Sequence, residues 1–264
     1  MNLVFWIEKI LHVDYEILTF LSYNLILWGF VVLIVLQLTS APYGRYSRDG
    51  WGTKIEPRLA WFIQEIPAFL VPLLLLVTTK APMIKYLPNK ILLACFLIHY
   101  FQRSFIFPYL MKSGRPTPLI PFLLAFVFCL CNGYLQAGYI ITYADFGAGL
   151  TSNVSYYLGI ILFFVGMAIN IHADHVLRNL RKPGEKGYKI PHGGMYNFIS
   201  CPNFFGEILE WSGFAIANGT VAAISFAIFT ACNIGPRACQ HHKWYQQKFE
   251  DYPKKRKALI PFVL

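Results

Sequence analysis

Between two long apolar runs, residues 170–207 form a polar and basic stretch whose side chains could hold a phosphorylated ligand. A chain this apolar accommodates many polar groups only where water, lipid headgroups or a polar ligand solvates them. Arginine suits phosphate because its planar guanidinium forms two parallel charge-assisted hydrogen bonds, and carboxylates accept hydrogen bonds from ribose hydroxyls or hold the arginines in place. We interpret this stretch as a cofactor site. Its candidate residues are Asn170, Asp174, Arg178, Arg181, Tyr188, Lys189, Asn203 and Glu207.

The first four of these residues are spaced as they would be along one side of a helix. They are Asn170, Asp174, Arg178 and Arg181, at steps of four, four and three. Residues three or four apart lie on the same helical face. The chain has no GxGxxG fingerprint after a strand-like run and no Walker-type loop, so a nucleotide would have to be bound by helix ends and loops.

A second group of polar residues lies inside apolar segments, where each is a functional candidate by default. Gln64 and Glu65 are adjacent, and Tyr100 and Arg103 are three positions apart, on one helical face. Two interpretations stay open for Glu65. It takes part in chemistry, or it is a structural carboxylate that Arg103 neutralises.

A metal site is the competing interpretation of the histidine-rich segments. His172, Asp174 and His175 lie close in sequence, and His241 and His242 add two imidazoles. Their spacing matches neither HExxH nor a Cys/His zinc pattern. We therefore expect no metal.

The composition places these residues in a membrane. Of 264 residues, 56% are hydrophobic and 14% are charged, whereas soluble domains carry about 25% charged residues. The net charge of +10 comes from basic residues in short loops between apolar segments, which is typical of membrane topology and not of a nucleic-acid-binding face. The six cysteines include no CxxC pair, and we expect them to be reduced packing residues.

Seven segments are candidates for membrane spans of roughly 20 residues. We place them at about 17–38, 59–78, 90–111, 118–141, 154–172, 204–218 and 220–236. Pro67 and Pro72 should kink the second segment, and Asn218–Gly219 should form a tight turn between the last two. We predict an all-α integral membrane protein with a single domain over residues 1–264, in which about 155–264 carry most of the cofactor site.

The lysines and arginines orient these spans. Most of the 23 lie in loops after odd-numbered spans and in the C-terminal tail, whereas the opposite face has Lys9, Lys80, Lys85 and Lys90. This bias predicts an N-terminus outside and a cytoplasmic C-terminus, long loops and active site. Both a bacterial inner membrane and the endoplasmic reticulum fit this topology.

Several blocks of the chain match a known family. They are WFIQEIP at 61–67, HYFQRS at 99–104, SGRP at 113–116, NGYLQ at 132–136, GMAINIHADHVLRNLRKPGEKGYKIPHGGMYNFISCPNFFGEILEW at 166–211 and FEDYPKKRKALIPF at 249–262. In these blocks the chain closely resembles the steroid 5α-reductase family (3-oxo-5α-steroid 4-dehydrogenases), as a bacterial or more distant homologue. The resemblance implies a seven-helix membrane enzyme that uses NADPH to reduce the Δ4 double bond of a 3-oxo-steroid.

The resemblance also implies roles for individual residues. Glu65 and Tyr100 match the pair that contacts the steroid 3-ketone, and Gln64 lies beside them. Lys189 stands where an arginine is usual, and the loop that ends in Arg115 is one residue longer than the family pattern. The implied cofactor-binding positions are Arg115, Asn170, Asp174, Arg181, Tyr188, Lys189, Asn203, Glu207, His241 and Tyr245.

These residue types suit the implied reaction. Hydride addition to an enone leaves negative charge on the carbonyl oxygen, and hydrogen-bond donors to that oxygen stabilise the transition state. Tyr100 is such a donor, and Glu65 becomes one when protonated, a form that desolvation in an apolar span favours. We therefore expect NADPH to reduce C5 while Glu65 and Tyr100 polarise the ketone, with a proton from solvent or a nearby acid completing C4.

Three other functions remain open from the sequence. One is a related membrane reductase that acts on an enoyl-CoA or a polyprenol, and another is an S-adenosylmethionine-dependent membrane methyltransferase resembling isoprenylcysteine carboxyl methyltransferase. A third is a seven-helix receptor or transporter without enzymatic activity. The expected partners are a steroid or other lipid-like enone and the lipid bilayer, with no nucleic acid, and we expect a monomer.

Overall fold

Every predicted span coincides with an α-helix in the computed structural model, which describes residues 13–112, 114–147, 153–182, 184–185 and 187–264. The helices are α1 (Tyr15–Leu38), α2 (Pro57–Thr78), α3 (Leu87–Leu110), α4 (Leu119–Tyr143), α5 (Val154–Asn179), α6 (Pro202–Asn218) and α7 (Val221–Lys248). Within the described residues, six of them are long and apolar enough to cross a membrane. With 17 residues, α6 is not among these six, so seven crossings stay a prediction.

Local signals in the sequence account for where the helices begin and end. The Asp14 carboxylate caps α1 by accepting from the backbone N–H of Glu16 at 2.7 Å, and Glu56 caps α2 immediately before Pro57. Gly219 ends α6 at φ 69°, which confirms the turn predicted between the last two spans. Asp and Glu are favoured at these caps because they accept from otherwise unpaired N–H groups.

Two helices run well past the apolar segments that predict them. The fifth continues to Asn179 and the seventh to Lys248, beyond the apolar segments that we expected to stop near residues 172 and 236. The extensions are polar, so hydropathy does not register them. They matter because the candidate cofactor residues lie on or beside them.

Two helices contain a π-helical turn. In α3 it spans Gln102–Ile106, and in α4 it spans Tyr139–Tyr143. Each such turn inserts a residue into the regular ladder and rotates the following side chains, a feature that is frequent at functional sites. In α3 the π-turn follows Tyr100 and contains Arg103, two of the candidate residues.

The α5 and α6 helices approach each other closely, and they meet through glycines. A Cβ added at Gly166 would lie 2.3 Å from the backbone nitrogen of Glu210, and one added at Gly206 would lie 2.6 Å from that of Asn170. No side chain larger than hydrogen fits at such separations. The glycines therefore set the approach that brings Asn170 of α5 against the first turn of α6.

The core is aromatic and lies among α3, α5, α6 and α7. Trp211 is at its centre, with ring centroids 4.3 Å from Phe226 and 4.5 Å from His99. All six cysteines are free, and four of them are buried. On α1, large apolar side chains such as Phe20, Leu27 and Ile34 are exposed, as expected for a surface that contacts lipid.

Short elements connect the helices. The strands β1 (Lys54–Ile55) and β2 (Thr117–Pro118) pair antiparallel, a small departure from the predicted all-α class. A 3₁₀ turn at Gly44–Tyr46 follows α1. The C-terminal tail docks in front of α6, where the backbone N–H of Ser200 donates to the carbonyl of Lys257 at 2.8 Å, and it thereby fixes the segment that leads into that helix.

Candidate active site

A buried chain of polar contacts connects α3, α5 and α6. Arg103 Nη1 donates to Asp174 Oδ2 at 3.1 Å, and Asn203 Nδ2 donates to the other carboxylate oxygen at 3.3 Å. Asn170 Nδ2 donates to the backbone carbonyl of Asn203 at 2.9 Å. Three of the candidate cofactor residues are therefore in direct contact, and they are held from α3 by Arg103.

Arg103 is the positive centre of this region. Its guanidinium interacts electrostatically with Glu65, Glu207 and Glu210 as well as with Asp174, and it lies 4.4 Å from the ring centroid of Phe107. Its direct ion pair is with Asp174, and its charge also acts on Glu65, so both interpretations of Glu65 stay open.

We use the term interior cluster for Gln64, Glu65, Tyr100, Cys129 and Asn132, which project from α2, α3 and α4. Cys129 Sγ donates to Glu65 Oε2 at 3.6 Å, and Asn132 Nδ2 donates to the Tyr100 hydroxyl at 3.1 Å. Tyr100 also interacts electrostatically with Glu65. Gln64 is buried on α2. Glu65, which is partly buried, and Tyr100, which is buried, are the pair that the family resemblance implies, and both belong to this cluster.

Behind Tyr100, His99 and Glu210 form a separate buried pair. Their Nδ1 and Oε1 atoms lie 2.7 Å apart, and the second oxygen of Glu210 has no hydrogen-bond partner. The His99 ring packs edge-on against Trp211. This pair connects α3 to α6 through the aromatic core.

We use the term helix-end cluster for Arg45, Tyr46, His241, Trp244 and Tyr245, where the extension of α7 meets the 3₁₀ turn after α1. Arg45 Nη2 donates to the Tyr245 hydroxyl at 3.2 Å, and its guanidinium lies 4.3 Å from the Trp244 ring centroid. The rings of Tyr46 and His241 stack with centroids 5.2 Å apart. Two predicted cofactor residues, His241 and Tyr245, are therefore held by two residues that we did not predict.

A cavity of about 70 Å³ lies against this cluster, lined by Arg45, His241 and Tyr245 together with Asn203 at the start of α6. Three buried polar atoms of the cluster have no hydrogen-bond partner among the described residues: Arg45 Nη1, the Tyr46 hydroxyl and His241 Nδ1. Unpaired buried polar atoms are rare in folded proteins, and a group of them indicates a site for a polar ligand or water.

The electrostatics of the cavity favour an anion. Arg45 and Arg237 both act on the Cys201 thiol, and burial nevertheless raises the pKa of Cys201 to about 12, so the cavity wall keeps a neutral thiol. Burial also raises the pKa of the Tyr46 hydroxyl, which therefore remains a proton donor at neutral pH. The first turn of α6 has no side-chain cap, and free N–H groups at a helix start attract phosphates.

The chemistry of these donors fits a phosphate-containing cofactor, whereas the volume fits only part of one. A cavity of about 70 Å³ accommodates one small anionic group, since a single water occupies about 30 Å³. Sites for whole cofactors measure about 300–1,000 Å³. The cavity therefore has room for one anionic group of a dinucleotide and not for the whole molecule.

Other predicted residues lie at the periphery. Arg181 follows the end of α5, is exposed, and donates to the Gly187 carbonyl at 3.5 Å, so it is not on the helix as the spacing suggested. Lys189 pairs with Glu185. Tyr188 packs against Trp244 at the rim of the helix-end cluster. Arg115 is exposed.

The residues weighed as metal ligands do not converge. The Asp174 carboxylate is bonded to Arg103 and Asn203, and the His172 ring lies against Gly194. His175 contacts Asn179 on the next helical turn. Among the described residues, no group of three His, Cys, Asp or Glu side chains has the arrangement of a metal site.

Comparison with known proteins identifies the family of this chain. A family model described as 3-oxo-5-alpha-steroid 4-dehydrogenase matches residues 115–264. The 3-oxo-5-alpha-steroid 4-dehydrogenase 1 of Mus musculus is 50% identical over 236 residues, which cover 89% of this chain and 92% of that protein. The chain belongs to the 3-oxo-5-alpha-steroid 4-dehydrogenase family. It is therefore an oxidoreductase that acts on CH–CH bonds.

Two human members of the family are similar over almost the same length. The 3-oxo-5-alpha-steroid 4-dehydrogenase 1 of Homo sapiens is 43% identical over 248 residues, or 94% of this chain and 96% of that protein. The human 3-oxo-5-alpha-steroid 4-dehydrogenase 2 is 43% identical over 245 residues, or 92% and 94%. The methyltransferase and receptor or transporter interpretations are therefore wrong, and the resemblance found in the sequence is confirmed.

Proposed function

We propose that the protein reduces the Δ4 double bond of a 3-oxo-steroid to a 5α-3-oxo-steroid, with NADPH as the reductant. The names of its relatives support the substrate class, since they are 3-oxo-5-alpha-steroid 4-dehydrogenases with 43% to 50% identity to this chain. The observation that carries the proposal is that Glu65, which is partly buried, and Tyr100, which is buried, interact electrostatically within apolar helices. A flat, apolar ketone would reach such a group from the bilayer side.

The interior cluster would stabilise charge on the ketone. When hydride reaches C5, negative charge accumulates on the 3-oxygen, and donors aimed at that oxygen bind the transition state more tightly than the ground state. The Tyr100 hydroxyl donates one hydrogen bond. A protonated Glu65 donates a second, and its other oxygen faces the Cys129 thiol at 3.6 Å. C4 then takes a proton from solvent or from a nearby acid.

The cofactor would be bound between the helix-end cluster and α5. Bound NADPH supplies the hydride. Arg45 offers its unpaired Nη1 and His241 its unpaired ring nitrogen to polar groups of the cofactor. The other residues proposed to hold it are Asn170, Asp174, Asn203, Glu207 and Tyr245, with Arg115, Arg181, Tyr188 and Lys189 as outer residues.

We propose that the chain crosses the membrane seven times as one domain, with its N-terminus outside and its active site open to the cytoplasm. The α6 helix has 17 residues, about the minimum for a span, and its close contact with α5 supports a course across the bilayer alongside that helix. The charge bias of the loops supports the orientation. Both a bacterial inner membrane and the endoplasmic reticulum accommodate this topology, and we propose a monomer.

Substitution of Glu65 tests the proposal. Glu65→Gln retains a hydrogen-bond donor and should keep part of the activity, whereas Glu65→Ala retains none and should lower kcat by about 100-fold. We would measure NADPH-dependent reduction of testosterone by purified protein in detergent. Glu56→Ala, which replaces an acid at the start of the same helix, controls for general effects.

A Glu65→Ala variant that reduces testosterone as fast as the wild type would refute the role of this carboxyl. If the wild-type protein fails to reduce testosterone when supplied with NADPH and also fails with NADH, the proposed reaction is refuted.

A further inference from the structure

Beyond the residues expected to contact the ketone, a line of buried amides leads away from Tyr100. Asn132 Nδ2 donates to the Tyr100 hydroxyl at 3.1 Å, Gln136 Nε2 donates to Asn132 Oδ1 at 3.2 Å, and the same Nε2 donates to the Ala222 carbonyl at 2.8 Å. Tyr100, Asn132 and Gln136 are at most 3% exposed. The line therefore runs from a fixed backbone atom in α7, through α4, to the phenol in α3.

The polarity of this line is set at its backbone end. The carbonyl of Ala222 can only accept, so Gln136 must turn its amino group, not its oxygen, toward α7. That amino group also reaches the Asn132 oxygen. Asn132 must therefore present its own amino group to Tyr100, because the opposite orientation would place two donors face to face.

One further atom shows that the orientation of Gln136 is imposed by its donors. Its oxygen, Oε1, is buried and has no partner. Since Oε1 accepts no hydrogen bond, no acceptor contact holds Gln136 in this position. An unpaired buried oxygen is also unfavourable. The two hydrogen bonds from Nε2 compensate for that cost, and they are the contacts that determine which way Asn132 points.

The orientation of Asn132 determines whether the Tyr100 hydroxyl can donate its hydrogen to a ligand. The phenolic oxygen accepts from Asn132, and within the described residues this is the only hydrogen bond that the hydroxyl makes. Its own hydrogen is therefore available to an external acceptor. If Asn132 presented its oxygen instead, the phenol would donate to the amide, and a ketone would lose that donor.

We propose that Asn132 and Gln136 are positioning residues that direct the Tyr100 O–H toward the substrate ketone. The proposal rests on the proposed function, because it needs Tyr100 to act on the ketone. Neither amide touches the substrate in this scheme. They act by fixing the direction of one hydrogen bond before the substrate arrives, which is the preorganisation that makes a donor effective in catalysis.

Two nearly isosteric substitutions test the polarity directly. Asn132→Asp places an acceptor opposite the phenol, so Tyr100 should donate to it and kcat for testosterone should fall about tenfold or more. Gln136→Met removes the orienting amino group without adding charge, and a decrease of about threefold to tenfold is expected because Asn132 becomes free to turn. The KM for NADPH should stay within about twofold of the wild-type value.

The decisive arm is a double-mutant cycle with Tyr100→Phe. If Asn132 acts only through the phenol, Asn132→Asp should have no further effect on kcat once the hydroxyl is absent. An equal, additive decrease in both backgrounds would show that Asn132 acts by another route and would overturn the proposal. Gln136→Met supplies the same cycle if Asn132→Asp does not fold.

A measurement without turnover gives an independent readout. The infrared carbonyl stretch of a ¹³C-labelled saturated 3-oxo-steroid, bound to the purified protein, should shift to lower frequency in the wild type because the phenol donates to it. Tyr100→Phe and Asn132→Asp should lose the same part of that shift. A wild-type shift that Asn132→Asp leaves intact would overturn the proposal.

Asn89→Asp provides the matched control. Asn89 is buried on the same helix as Tyr100 and donates to the Ile140 and Ala144 carbonyls at 2.7 Å, so its replacement also buries an acid. We expect it to lower thermal stability but not kcat per folded molecule. If Tyr100→Phe itself is as fast as the wild type, the proposed role of Tyr100 fails. If Tyr100→Phe is slow and Asn132→Asp is not, only the present inference fails.

Discussion

The interior cluster and the helix-end cluster differ in the kinds of side chain they contain and in how many of their buried polar atoms lack hydrogen-bond partners. The interior cluster is built from neutral amides, a phenol, a thiol and one carboxyl, and none of its side-chain nitrogen or oxygen atoms is buried without a partner. The helix-end cluster surrounds Arg45 with aromatic rings and leaves three buried polar atoms without partners. In the first, hydrogen bonds within the protein orient the Tyr100 phenol and leave its hydrogen available to a ligand, whereas in the second three buried polar atoms lack partners among the described residues.

This difference indicates a division of tasks. A group held by hydrogen bonds in helices can keep a donor in one direction, as is needed to stabilise charge on a ketone. A group with unpaired donors beside a loop gains its missing bonds only when a polar ligand binds. Substitutions in the interior cluster should therefore lower kcat, whereas substitutions in the helix-end cluster should raise the KM for the cofactor.

The strongest test of this division lies between the clusters, at the buried ion pair of Arg103 and Asp174. Asp174→Ala leaves the guanidinium in the interior without its direct partner, and loss of one partner of a buried pair costs about 3–5 kcal/mol. We expect a large decrease in the midpoint of thermal unfolding in detergent. Since Asp174 also contacts Asn203 beside the cavity, kcat and KM for NADPH should both change.

Asp49→Ala is the control for that experiment. Asp49 also pairs with a basic residue, Lys54, but its side chain is 94% exposed, and exposed pairs contribute little. Its removal should leave stability and both kinetic constants unchanged. Equal stability of the Asp174→Ala variant and the wild type would show that the two clusters are not held together through this ion pair.

The second prediction concerns the helix-end cluster alone. Arg45→Ala removes a guanidinium with a free donor atom next to the cavity, and we expect the KM for NADPH to rise about tenfold, while kcat at saturating NADPH changes little. Arg58→Ala, which removes an arginine near the start of α2, should change neither constant. A large decrease in kcat with unchanged KM would contradict the division between the clusters.

The two clusters also differ in how far the sequence predicted them. Glu65 and Tyr100 were identifiable because a polar residue within an apolar helix is conspicuous, and the helices themselves follow from the lengths of the apolar runs. Arg45 was counted only as a charge in a loop. Its hydrogen-bond partner Tyr245 is 200 positions away in the sequence, and no local sequence pattern predicts a contact between residues so far apart.

Other parts of the site were missed for local reasons. Asn132 and Gln136 lie one turn apart inside α4, in the NGYLQ block at 132–136 that carries part of the resemblance, but they were not among the predicted site residues. The π-turn at Gln102–Ile106 has no sequence signal that distinguishes it from regular helix. Arg181 was placed on α5 by its spacing, but the helix ends at Asn179, and helix ends are the least predictable feature of a polar segment.

The smallest expected effect concerns the Tyr46 hydroxyl, which is buried and has no partner. Tyr46→Phe keeps the ring and its stacking on His241, at 5.2 Å between centroids, and removes only the oxygen. If that oxygen donates to the cofactor, the KM for NADPH should rise about threefold to tenfold, as expected for loss of one hydrogen bond. If it bonds nothing in the working enzyme, removal of an unpaired buried polar group should instead raise the unfolding temperature and leave KM unchanged. Measuring both quantities on the same preparation therefore decides whether the helix-end cluster is incomplete because it waits for a ligand, or merely because its packing leaves a hydroxyl unsatisfied.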